Sequence, residues 1–285
     1  MKQLLSVILA VVAMQLPGPL SAQAVGGGFF NLRCELSHRA NDDPIVFPQQ
    51  AGASHLHDFF ANRTTDADST RKSMKAARTN CTLSLDTSGY WAPTLLDQDG
   101  RPVPIKAVQV YYRSASGMTV RPFPGNLKII AGGDTLDPPA PSRSQLSLSW
   151  ACEDTPPYTP SPPDCSGTGR VVTAHIHFPD CWDQENKDSS DHRSHMTFGT
   201  PECPRGYVAV PRLRLHIRYD VTNAEGFTLS SDTSDMVGGQ SLHADFWNTW
   251  ADQSALRFLV RRCLNAGRAC ASMTDAKLRA MGFPG

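Results

Sequence analysis

Arg212-Leu213-Arg214-Leu215-His216-Ile217-Arg218-Tyr219 alternates polar and apolar residues without a break. A period of two puts Leu213, Leu215, Ile217 and Tyr219 on one face of an extended strand and a basic stripe on the other. A helix of period 3.6 would scatter the same residues around its axis. Val171-Val172-Thr173-Ala174-His175-Ile176-His177-Phe178 repeats the pattern, with Thr173, His175 and His177 on one face, and Leu146-Ser147-Leu148-Ser149-Trp150 does so more briefly. Val108 to Tyr112 and Leu127 to Ala131 are apolar enough for further strands. Helical signals are few. Ser69 can cap a segment through Met74 to Arg78. Asp252 can cap a better one, with Ala255, Leu256, Leu259, Cys263 and Leu264 at helical spacing and Gly267 beyond its end. Thr274 can start a last helix ending near Gly282. Asp134 to Arg143 and Thr155 to Asp164, rich in Pro, Ser and Asp, read as exposed loops. Short strands, many turns and few helices predict a mainly β fold, a β-sandwich or jelly-roll-like body with peripheral helices and disulfide-tied loops.

The chain of 285 residues opens with Lys2, an apolar run from Leu4 to Leu16, and Ser21-Ala22-Gln23-Ala24. One basic residue, a short apolar core and small residues at a cleavage point predict a secretory signal over residues 1–24. Residues 25–285 then form one domain, exported to the extracellular space or the periplasm. No later run approaches the ~20 apolar residues of a membrane span. Basic and acidic residues number 27 each and Lys/Arg are scattered, which argues against nucleic acid as a partner. A monomer is expected.

Eight cysteines stand at 34, 81, 152, 165, 181, 203, 263 and 270, all after the signal. An even count in an exported chain reads as disulfides. Their spread points to nearest-neighbour closure: 34–81, 152–165, 181–203 and 263–270. The absence of any C-x-x-C pair disfavours a thiolate metal site.

Seven of nine histidines fall in four short motifs: His55-Leu56-His57-Asp58, His175-Ile176-His177, Asp191-His192-Arg193-Ser194-His195, and His243-Ala244-Asp245-Phe246-Trp247. Imidazole takes and returns a proton near pH 7, and a carboxylate on its second nitrogen fixes the tautomer. Asp58, Asp191 and Asp245 are candidates for that carboxylate.

Those segments also carry a family likeness. Ser54-His55-Leu56-His57-Asp58-Phe59-Phe60 with Asn62, Tyr90-Trp91-Ala92-Pro93, Tyr111-Tyr112-Arg113, Pro122-Phe123-Pro124, Phe178-Pro179-Asp180-Cys181-Trp182-Asp183, Ser190-Asp191-His192 with Ser194-His195-Met196, and His243-Ala244-Asp245-Phe246 occur in that order. In this the chain resembles the family known as domain of unknown function 1996. Ala61 stands where a Gly commonly follows the Phe-Phe pair, and His175 and His177 depart from the family pattern. The resemblance implies secreted fungal or bacterial proteins, some joined to carbohydrate-binding modules, working at polysaccharide or cell-wall surfaces. It implies no mechanism.

Three functions remain open on the sequence. In a polysaccharide-active hydrolase or lyase, His55, His57, Asp58, Asp191, His192, His195, His243 and Asp245 supply the catalytic groups. Arg113, Trp182, Arg193 and Trp247 then line the substrate, with Arg113 or Arg193 neutralising a uronate. In a metal protein, the His-x-His pairs hold copper or zinc; the sequence does not fix a cofactor. In a non-catalytic carbohydrate-binding or wall-associated module, the histidines are structural and hydrogen-bonded to buried carbonyls. Trp91, Trp182, Trp247 and Trp250 either stack on sugar faces or, as most buried tryptophans do, pack the core.

Overall fold

The computed structural model describes residues 27–114, 118–132, 147–199, 202–235 and 238–284. The export segment 1–24 and the stretch from Asp134 to Arg143 lie outside the described residues. Two large sheets dominate. One has seven strands in the order β17 (Ala269–Cys270), β1 (Phe29–Cys34), β6 (Ile105–Arg113), β14 (Arg212–Tyr219), β10 (Val172–His177), β8 (Leu148–Cys152) and β9 (Thr155–Thr159). The other has five, β2 (Leu36–Ala40), β3 (His57–Ala61), β4 (Gly89–Pro93), β16 (His243–Trp247) and β7 (Lys128–Gly132). A three-stranded sheet of β12 (Met196–Thr197), β11 (Cys181–Trp182) and β13 (Val208–Ala209), and a pair of β15 (Thr228–Leu229) with β5 (Leu95–Leu96), complete it.

The two large sheets share one core, and the alternation seen in the sequence decides which residues enter it. Val108, Val110, Tyr112, Ala174, Ile176, Leu213, Leu215 and Ile217 of the seven-stranded sheet lie in one buried cluster with Phe60, Tyr90, Ala92, Ile129, Ala131, Ala244 and Phe246 of the five-stranded sheet. Across that interface the Tyr90 and Tyr112 hydroxyls meet at 2.7 Å, Tyr90 donates to Asp86 and the Trp250 indole donates to Tyr112. Every member of this polar knot has a partner, as burial demands. The result is a mainly β, sandwich-like architecture.

The helices are short and capped by the expected kind of residue. In α1 (Arg71–Ala76) the cap is Thr70, one residue after the expected Ser69, because Thr70 and Ser73 satisfy each other's backbone N–H groups. Asp252 caps α2 (Gln253–Leu259), which runs on into a π-helical turn over Val260–Leu264, and Thr274 caps α3 (Asp275–Ala280). Thr155–Thr159 forms strand β9 rather than loop: as the outermost strand of its sheet it tolerates Pro156 and Pro157. Ala61 is fully buried with φ +66°, a left-handed conformation that glycine adopts without steric cost. Among the described residues no helix is long and apolar enough to cross a membrane.

The bridges are Cys34–Cys81, Cys152–Cys165, Cys181–Cys203 and Cys263–Cys270, the pairing expected from spacing, and no cysteine is free. Cys263–Cys270 sits beside β17, whose two residues pair in parallel with Phe29 and Phe30 of β1. Cys34–Cys81 closes a loop of 47 residues that contains His55 and His57. Replacing both of its cysteines by serine should lower stability by about 4 kcal/mol on the chain-entropy account. A urea titration checks this, and an unchanged midpoint would show that the loop is held without the bridge.

Candidate functional site

The outer face of the five-stranded sheet, turned away from the sandwich core, collects the site. Alternation on β3 puts His57 and Phe59 outward and Phe60 inward; on β16 it puts His243, Asp245 and Trp247 outward and Ala244 and Phe246 inward. The loop before β3 folds over this face, and its Ile45 packs with Phe59, Met74, Trp91, Ile130 and Trp247. The same loop brings His55 to the rim and Asp43 to the interior. Asp43 precedes Pro44, and its Oδ1 accepts the Ile45 and Val46 amides, which locks the turn that aims the carboxylate inward.

β4 lies between β3 and β16, and the two imidazoles reach across it. The Nε2 atoms of His57 and His243 approach to 3.5 Å although 186 positions separate them in sequence. His57 Nδ1 lies 3.0 Å from the Asp42 carbonyl and His243 Nδ1 lies 2.9 Å from the Ser241 carbonyl. A carbonyl oxygen only accepts, so each Nδ1 carries the proton and donates it. Both Nε2 atoms are therefore bare lone pairs turned toward each other. That contact is no hydrogen bond. Two imidazole nitrogens on one tetrahedral zinc at ~2.0–2.1 Å stand about 3.4 Å apart, close to the spacing found.

His55 adds a third ring, with centroids 4.2 Å from His57 and 5.0 Å from His243, and its Nε2 is buried without a partner. Donor atoms of His55, His57 and His243 all lie within 4.8 Å of one another, and so do those of Asp43, His57 and Asp245. Asp245 is 1 % exposed, and neither of its carboxylate oxygens has a hydrogen-bond partner. The Trp91 indole, opposite Asp245 in the β4–β16 register, also leaves its N–H unpartnered. An unpaired buried carboxylate is costly, and two close together more so. A bound cation is what such a set of orphaned donors fits.

Burial shifts every group here toward its neutral form. It pushes the His57 imidazole well below its ordinary range, helped by His243 and His55, while the bond to Asp42 opposes the shift. It takes His243 to about 3 and His55 to about 4. It raises the Asp245 carboxyl well above the usual value, with Asp43 adding to the effect and Arg193 opposing it; Asp43 itself is raised by burial. A histidine whose folded-state value is depressed contributes stability that is present above ~6.5 and lost as pH falls toward the folded value. The contribution of His243 to the metal-free protein should therefore be lost between about pH 6.5 and pH 4, while the raised Asp245 and Asp43 carboxyls act the other way. His243→Gln should flatten that limb in urea titrations. A wild type and a His243→Gln variant whose metal-free stabilities change alike between about pH 7 and pH 4.5 would contradict it.

The other residues marked in the sequence have different surroundings. Asp58 follows His57 but faces the opposite side of the strand, where it pairs with Arg39 and accepts from Thr94. His195 is buried between the Lys128 carbonyl and the Ser189 hydroxyl, each 2.8 Å away. Asp191 binds Ser189 and Ser194 side chains and the Arg193 and Ser194 amides, bracing its own loop, and His192 pairs with Asp188. Arg193 donates to the Gly132 carbonyl and acts electrostatically on Asp245 and His243, which places it beside the cluster. Gly132 is the β7 partner of His243, at φ +75° with the Leu242 carbonyl 2.7 Å from where a Cβ would stand, so only glycine fits there. Trp247 is buried, bonded to Asn126 and covered by Lys128, and Trp182 donates to the Asn186 carbonyl. Arg113, over the Phe29 ring, and His175 and His177 lie on the other large sheet. Asp43 carries no signal in the sequence beyond standing before a proline in a loop.

The family model described as a domain of unknown function (DUF1996) matches residues 43–250, more than half of the chain, and the chain belongs to that family. No curated protein and no solved structure matches it.

Proposed function

We propose that this DUF1996 chain is an exported protein that holds one zinc or copper ion through His55, His57 and His243, with Asp245 and Asp43 supplying the balancing charge. We take residues 25–285 as one unit, and place its action on polysaccharide or cell-wall material. The observation that carries the metal reading is Asp245, buried with both oxygens unpartnered, beside two bare imidazole nitrogens 3.5 Å apart. Imidazole with carboxylate suits zinc and copper. The carbonyls of Asp42 and Ser241 hold two of the rings in the ligating tautomer, the role that outer partners of metal-bound histidines usually play. An ion held there would supply Lewis acidity for hydrolysis. His55, the half-buried member, marks the side open to substrate.

A metal-free His/Asp acid–base site is the poorer fit. Its histidines would have to exchange protons near pH 7, whereas burial keeps His55, His57 and His243 neutral there. The deciding experiment is elemental analysis of protein purified without chelator, with melting curves before and after zinc or copper addition. One ion per chain is expected, with stabilisation near 2.7 kcal/mol at a free ion concentration a hundred times Kd. Absence of bound ion together with an unmoved melting curve would end the metal reading. A polysaccharide screen read by reducing ends and by unsaturated-product absorbance, with and without chelator, then tests the substrate class.

A further inference from the structure

The outer face of the seven-stranded sheet is unlike a solvated strand surface. On β14 the outward residues are Arg212, Arg214, His216 and Arg218; register places Arg113 and Tyr111 opposite the first two on β6, and His177 and His175 opposite Arg214 and His216 on β10. Four guanidinium groups therefore share a half-buried surface with two carboxylates. Asp180 holds Arg212, and Asp154 holds Arg218 at 2.8 Å. Among the described residues Arg113 and Arg214 have no carboxylate partner. Arg113 rests only on the Phe29 ring, and Arg214 has a buried Nε with no acceptor. Two positive charges are left over where water is partly excluded, and an orphaned buried donor is costly.

Asp154, His175 and His216 also bring donor atoms within 4.8 Å of one another. A cation is nevertheless the wrong guest. The single carboxylate is half exposed, already paired with Arg218, and engaged by His216 Nδ1 at 2.8 Å from its Oδ1. The arginines set the local potential: after burial, Arg214 and Arg212 are among the charges that push His177 down to about 2, and Arg113 and Arg212 help bring Arg214 to about 10. A field that repels a proton repels a metal ion and attracts an anion.

We propose that this face binds an acidic polysaccharide, its carboxylates held by Arg214 and Arg113 beside His177 and Tyr111. Guanidinium matches carboxylate in a planar, two-bond geometry, which Lys does not offer. Arg212, Arg214 and Arg218 stand on one face of β14 with His216 between the last two, and Arg212 to Arg218 spans ~20 Å, the reach of a chain rather than of one small anion. Tyr158, 44 % exposed with its ring edge-on to His175 at 5.4 Å, offers an aromatic surface at the β9 side of the row. Asp154 and Asp180 interrupt the row, which disfavours a densely charged phosphate backbone. This proposal does not rest on the metal centre, which lies on the outer face of the other sheet.

Polygalacturonate and a neutral glucan of equal length serve as probes in affinity electrophoresis or calorimetry with the full chain. Polygalacturonate should bind, more weakly as salt rises, and the neutral chain should not. Arg214→Gln should weaken binding about tenfold, the loss expected for a charge-assisted bond. Arg113→Gln, which breaks no ion pair and so leaves folding intact, should weaken it as well. Stripping metal from the protein should change nothing. Equal retention of wild type and the double variant, equal affinity for the neutral glucan, or stronger binding to single-stranded DNA than to polygalacturonate would each overturn the proposal.

Discussion

His57→Ala is expected to reduce bound metal from one ion per chain to none and to erase any difference between melting curves taken with and without zinc. The ring is fully buried and donates to the Asp42 carbonyl, so its removal also leaves a cavity and an unsatisfied acceptor. That cost, about 1–3 kcal/mol for the acceptor alone, falls on the metal-free protein whatever the function. Absolute stability therefore does not separate ligand from scaffold. The response to metal does, because each variant serves as its own reference. His195→Ala is the matching control: it is as buried and as well bonded, to Lys128 and Ser189, yet makes no contact with the cluster. It should lose stability and keep the full zinc response. If His57→Ala keeps the response too, His57 is no ligand. Any chelator-sensitive activity on polysaccharide should vanish in the first variant and survive, per folded molecule, in the second.

Asp245→Asn should act in opposite directions on the two forms of the protein. The carboxylate is buried, without donors to either oxygen, and close to Asp43. Asparagine keeps the shape and removes the charge, so the metal-free protein should gain about 1–3 kcal/mol. Metal binding should fall about 10- to 100-fold, since the charge that balances the cation is gone. The pH dependence follows from the raised carboxyl value. Such a group favours folding at low pH, and that contribution is lost as pH rises past ~3.8 toward the folded-state value. The advantage of Asp245→Asn should accordingly be larger at pH 7 than at pH 4. A variant less stable than wild type without metal, yet still responsive to zinc, would identify Asp245 as a hydrogen-bonded structural residue instead.

Strands were legible in the sequence where polar and apolar residues alternate, because one face is buried and the other is not. β3, β4 and β16, buried on both faces, show no sustained alternation and carry no strand signal. Arg212–Tyr219 is the clearest case, where strand β14 coincides with the alternating stretch. β9 was hidden because its prolines read as loop, and only its place at the edge of a sheet makes them tolerable. His57 and His243 stood out as motif residues and do meet. Asp58 misleads for a geometric reason: neighbours in a strand point to opposite faces, so the group beside His57 in sequence is the one most surely turned away from it. The fixing partners of the rings are backbone carbonyls of Asp42 and Ser241, which no side-chain pattern announces. The Asp191–His195 block is as rich in chemistry-bearing residues as the group of His55, His57 and His243, but its hydrogen bonds close on its own loop and on strand β7.

The parallel pairing of β17 with β1 sets an order on assembly. Residues 29 and 30 lie between β6 on one side and residues 269 and 270 on the other. A chain emerging from the ribosome or a translocation channel can pair β1 with β6 once residue 113 is out. Thr82 covers the far edge of β1 at Arg33, but at residues 29–31 that edge stays open until residues 263–273 arrive with their bridge. Contacts of such sequence separation form late, and an open edge in the interval is a template for a second chain. A growing chain halted anywhere before residue 269 is thus expected to be the species most prone to aggregate, and the last few tens of residues to act as the latch that ends the risk.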